Sequence, residues 1–287
     1  MSDNTKASTS SLIWRWGLIG LGLIVFLLLF FADKTNLTNE NPSTVAGAAA
    51  TTTNGGASAV PAASLPPLAP DPDLDRQIAT LESVSEEEKL RLLDTIIVSL
   101  QARNRLAYAA DYAMQLADLE SSLNNQLRAG VLSQKASELS YVARDSSLML
   151  KYSDQAVALL KQVNEQAPEN EEALLHLGLA LTKARAPMQG ILTLRKLTEL
   201  NPRNWEAQYR LGLFSLQTGQ FEKALDRFSN VLKERPEMNE AKFQLAIAKA
   251  RTGNENEAKE LLNEVLQDKN ASAELKQEAN ILLNQLK

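Results

Sequence analysis

The sequence predicts an all-α chain, a solenoid of helix-turn-helix repeats behind an N-terminal transmembrane helix and a disordered linker. Three observations carry this prediction. Residues 12–32 are apolar and almost uncharged, residues 33–75 are rich in Ala, Thr, Ser and Pro, and beyond 75 apolar residues recur at spacings of three and four nearly to the end. In that last stretch, small, large and proline positions return every 34 residues. Such a period marks stacked units, each too small to bury its own apolar face.

Composition removes much chemistry at once. The 287 residues carry a net charge of −5 and no cysteine. Disulfides, thiol catalysis, thiolate metal sites and a lipid-modified cysteine are therefore excluded. The mild acidity gives no basic face for nucleic acid. The single histidine, His176, would have to carry any imidazole chemistry alone. No metal, cofactor or catalytic set is expected. His176 is expected as a partly exposed surface residue.

The chain opens with a short tail, residues 1–11, predicted to be cytoplasmic. Residues 12–32 follow, and about 21 residues at about 1.5 Å each cross the ~30 Å hydrocarbon core. Arg15 can snorkel at the N-terminal end, between the interfacial indoles of Trp14 and Trp16. A cleaved secretory signal is the competing reading. The run is long for one, and a cut after Ala32 would place bulky Phe30 where a small residue belongs. Lys6 and Arg15 precede the span, and only Lys34 follows closely. This predicts a single-pass protein of the inner (cell) membrane with its C-terminal part in the periplasm. Gly17, Gly20 and Gly22 do not make the spacing that dimerises membrane helices.

Six of the ten prolines fall in residues 35–75. A segment so poor in large apolar residues cannot offset the entropy of ordering, so 33–75 is predicted to be a disordered tether. Residues 76–170 read as a helical region with degenerate repeats. Within it, residues 86–119 look like a helix pair started by EEEK, with Ser85 as its cap.

Regular repetition begins at 171. Leu177-Gly178, Leu211-Gly212 and Leu245-Ala246 keep one register, as do Ala156, Gly190, Ala224 and Ala258. Leu160, Leu194, Phe228 and Leu262 follow four residues after each of that second set, and Pro168, Pro202 and Pro236 close the units. Gly219 and Gly253 mark the inner turns, where the first regular unit has Pro187. The unit ending at Pro168 matches only in its second helix. Its first-helix slots hold Ala143 and Arg144, so that helix is expected to run earlier, through residues 124–140, with a longer connection. Gly212 is expected to face the small Ala224 across its own helix pair. Residues 271–287 read as a capping helix over the last apolar face.

These positions resemble the tetratricopeptide repeat family, strongly over 171–270. The resemblance implies a right-handed α-solenoid of three regular units, whose first helices line a concave face that binds a protein or peptide segment. On that face it places Leu175, Tyr209 and Phe243; Leu179, Leu213 and Ile247; and Lys183, Gln217 and Arg251. The partner-binding set is thus Leu175, Leu179, Tyr209, Leu213, Phe243, Ile247 and Arg251. Tyr209 and Phe243 are expected side by side, and burial in the core is an equal alternative for both. The glutamates at Glu172, Glu206 and Glu240 argue against the clamp for a C-terminal carboxylate found in some members.

The function expected is that of a membrane-anchored scaffold in the assembly of a cell-envelope complex. Translocon-associated factors and cytochrome c maturation components share this general look. An enzyme or transport subunit with unrecognised chemistry is the alternative from another class.

Overall fold

The computed structural model describes Leu65 and residues 71–286. The predicted cytoplasmic tail, transmembrane helix and nearly all of the linker lie outside the described residues. Among the described residues no helix is long and apolar enough to cross a membrane.

Twelve helices follow one another among the described residues, with no strand. They are α1 (Pro72–Thr80), α2 (Glu86–Ala102), α3 (Leu106–Leu119), α4 (Leu123–Val142), α5 (Ser146–Gln166) and α6 (Glu171–Lys183). The second half has α7 (Pro187–Leu200), α8 (Trp205–Gln217), α9 (Phe221–Glu234), α10 (Asn239–Arg251), α11 (Glu255–Gln267) and α12 (Ala273–Gln285). Each packs on the next in the chain. The first helices of neighbouring pairs also touch: α4 on α6, α8 on α10, and α10 on α12. The buried side chains form a row of neighbouring clusters along the chain, as nearest-neighbour stacking requires.

Helical structure begins before the predicted linker boundary at 75. Asp71 accepts hydrogen bonds from the backbone of Asp73 and Leu74, and Pro72 presets the first helical residue, so α1 forms inside the predicted tether. Arg103 ties this end down with a 2.5 Å ion pair to Asp71. Ser85 caps α2 as expected, accepting from the Glu88 N–H.

The repeat register is visible in the core. Ala156, Ala224 and Ala258, with Leu160, Leu194, Phe228 and Leu262, have no exposed surface. The glycines of the first helices fit against the large members of that series. A Cβ on Gly178 would lie 2.7 Å from Leu194, and one on Gly212 would lie 2.8 Å from the Phe228 ring. Gly212 therefore makes room for a side chain four residues beyond Ala224, not for Ala224 itself, which corrects the expected contact. Backbones come closest one unit earlier, where a Cβ on Gly190 would lie 2.6 Å from the Gly178 carbonyl oxygen.

The same contact identifies the missing first helix. A Cβ on Gly130 of α4 would lie 2.6 Å from Leu160 of α5, so Gly130 takes the place of Gly178 and Gly212. Gly130 and Leu160 are thirty residues apart, against sixteen in each of the other two pairs. The additional fourteen residues are helical, about two turns on each of α4 and α5, or roughly 10 Å of overhang. The helix does run earlier, but the connection is short, residues 143–145. Ala143 and Arg144 belong to that turn.

Four of the inner turns close alike. Asn104, Arg144, Gly219 and Gly253 have positive φ. In each case the N–H of the following residue bonds back five residues, as in Arg105 to Leu100, Asp145 to Ser140, Gln220 to Ser215 and Asn254 to Lys249. This is the six-to-one bond of a Schellman ending, and it calls for left-handed backbone. The α6–α7 turn replaces it with Pro187 at the first position of α7.

Candidate functional site

The overhang of α4 and α5 reaches across the first-helix face and builds a cleft with α6 and α8. The cleft holds about 360 Å³. Its lining includes Glu138 and Tyr141 from α4, Met149 from α5, Leu179, Thr182 and Lys183 from α6, and Arg210, Leu213, Phe214 and Gln217 from α8.

Charge is arranged across it. Arg210 pairs with Glu138 at 2.8 Å and lies 3.9 Å from Glu206. The Lys183 ammonium stands 3.5 Å from the centre of the Tyr141 ring, a cation–π contact between a regular repeat and the overhang. Burial makes Lys183 a stronger acid than usual; Glu138 opposes that shift and Arg210 adds to it. Gln134 of α4 also lines the cleft, and its side-chain oxygen accepts from Nδ1 of His176 at 2.8 Å. His176 is 9% exposed, so the expectation of a partly exposed histidine is corrected. Burial foremost, then Lys135, lowers its pKa to about 4, with Glu138 opposing and Arg210 adding to the shift.

A second cleft, of about 460 Å³, lies between α10 and the capping helix α12. Phe243, Ile247 and Arg251 line it, opposite Glu278, Ile281 and Leu282.

The seven predicted residues thus divide. Leu179 and Leu213 line the first cleft, and Phe243, Ile247 and Arg251 the second. Leu175 packs against a buried cluster and lines neither. Tyr209 and Phe243 pack into different clusters. The Tyr209 ring meets Phe228 edge-on at 5.8 Å, while Phe243 belongs to the C-terminal cluster. Phe228 stands where neighbouring units have leucine, and Tyr209 packs against its cluster. Lys183 and Gln217, expected on this face, do line the first cleft.

Sequence reading missed Glu138, Tyr141, Met149 and Arg210. The first three lie on the overhang, which a strict 34-residue period skips. The signal was Gly130 followed by Leu160, visible only if the period may stretch inside a hairpin.

Two family models described as tetratricopeptide repeat match the chain, over residues 183–227 and 215–277. Residues 183–277 of this chain are thus tetratricopeptide repeats. No curated protein matches it. Among solved structures, this tetratricopeptide-repeat fold is similar to a MamA RS-1 double mutant, 18% identical, with a TM-score of 0.50 over 68% of this chain and 98% of that one. It is also similar to YrrB, described as a TPR protein with an unusual peptide-binding site. That pair is 20% identical, with a TM-score of 0.47 over 72% of this chain and 98% of the other. At such identities the likeness is one of fold. Tetratricopeptide-repeat folds generally act as interaction scaffolds that bind protein or peptide partners, not as catalysts.

Proposed function

We propose that the chain is a non-catalytic scaffold that holds a protein or peptide segment in the cleft between α4, α6 and α8, tethered to a membrane by residues 12–32. The observation that carries the binding reading is the cleft itself. Apolar Leu179, Leu213 and Phe214 and the polar Thr182 and Gln217 share its lining with a fixed Glu138–Arg210 pair. Apolar contact area among a few oriented polar groups suits a peptide ligand, with orientation coming from the charges. The tether rests on sequence alone: an uncharged run long enough for the bilayer, then a Pro- and Ala-rich linker. On the same basis the repeats lie on the periplasmic side of an inner membrane, where the scaffold serves assembly of an envelope complex.

Gln217 is exposed and lines the cleft, so it can be enlarged without touching the core. Gln217→Trp in the full-length chain should block the cleft and remove partners that co-purify with wild type, leaving the melting temperature unchanged. Asp226→Trp, on the exposed side of α9, should keep them. Equal partner sets for all three proteins would overturn the assignment of the cleft.

A further inference from the structure

The two cations of the cleft are not equivalent. Arg210 is satisfied by carboxylates on two sides, Glu138 and Glu206. Lys183 makes no ion pair among the described residues; its ammonium rests on the face of Tyr141. A partly buried cation without an ion pair has given up water and gained a ring quadrupole and the more distant charge of Glu138, which Arg210 already pairs. Among the charged residues that line the cleft, Lys183 and Arg210 outnumber Glu138 by one. Thr182 stands beside Lys183, and Leu179, Leu213 and Phe214 supply apolar surface in the same cleft.

We propose that the cleft selects a peptide carrying an aspartate or glutamate next to an apolar residue, the acid binding Lys183 and the apolar side chain packing on Leu179, Leu213 and Phe214. This rests on the scaffold reading above and gives it a ligand chemistry. The subsite exists because of the overhang. Tyr141 lies in the two added turns of α4 and presents its ring to a lysine of the next repeat, so a hairpin of regular length would leave Lys183 in open solvent. Glu138, already neutralised by Arg210, guards the other side: a basic peptide would meet Lys183 and Arg210 with no free carboxylate to receive it.

The test pans random linear peptides, displayed on phage, against the full-length chain in detergent. Enriched peptides are then synthesised with each acid and with its amide. Peptides that lose binding to Gln217→Trp report the cleft. Among them, acids beside apolar residues should be enriched. The acid-to-amide change should weaken binding to wild type about tenfold, the size of one charge-assisted hydrogen bond. The same change should have no effect on binding to Lys183→Gln, and Lys183→Arg should restore the discrimination. If the acid-to-amide change costs wild type and Lys183→Gln equally, Lys183 is only a strut against Tyr141 and the inference is overturned. Cleft-dependent peptides with no acid enrichment also overturn it while leaving the scaffold reading standing. If no peptide is sensitive to Gln217→Trp, both fall together.

Discussion

Gly190 and Gly212 both sit at contacts between paired helices, one on a second helix and one on a first, and the different atoms they face set their tolerance. A methyl on Gly190 would press on a backbone carbonyl, which cannot move without moving α6. A methyl on Gly212 would meet the far edge of the Phe228 ring, which can tilt, and the helix regains about 1 kcal/mol of propensity. Gly190→Ala should therefore cost roughly 1–3 kcal/mol, and Gly212→Ala clearly less, in chemical unfolding of the full chain. His176 supplies a second residue-scale prediction. Its folded pKa of about 4 lies below the ordinary 6.5, so the unfolded chain binds the extra proton in between. Stability is intact above pH 6.5, falls as pH drops towards 4, and then stops responding to this group. The loss amounts to about 3 kcal/mol. His176→Gln should flatten that part of the pH–stability curve; an unchanged slope would mean the imidazole is not held neutral.

At the scale of the element, the ends of the helices show what the sequence could and could not reveal. Asn170 and Asn204 cap α6 and α8 through the N–H three residues on, whereas Met238 at the matching position offers α10 no side-chain bond. Met238→Asn should add about 1 kcal/mol. Arg144 adopts left-handed backbone where Gly219 and Gly253 do so without a Cβ, so Arg144→Gly should add about 0.5–1 kcal/mol. Thermal melts of the two variants and their double mutant check both, with additive shifts expected. The regular units were legible because Pro168, Pro202 and Pro236 and the small-large pairs recur at one spacing. The α4–α5 hairpin was not, because adding whole turns to both helices preserves the packing while destroying the sequence period. The first cleft was half legible for the same reason: Leu179, Leu213, Lys183 and Gln217 follow the repeat, while Glu138, Tyr141 and Met149 come from the inserted turns. The edge-on contact of Tyr209 with Phe228 was not legible, because a pattern of apolar positions does not record such a pair contact.

At the scale of the whole molecule, the proposed function hangs a stack of helix pairs with one overlong hairpin from a membrane tether read from sequence. The tether predicts that the full-length chain stays in membranes through high-salt and carbonate washes, and that proteolysis within residues 35–70 releases a soluble fragment. Recovery of a mature chain beginning near Asp33 would contradict the anchor. Binding of a partner in the cleft built by the overhang is open to site-specific photocrosslinking in intact cells. A photoreactive residue at 217, on the cleft, should form a discrete adduct that mass spectrometry maps to one segment of another protein. The same residue at 226, on α9, should form none. Adducts of equal yield from both positions, or from 226 alone, would contradict it.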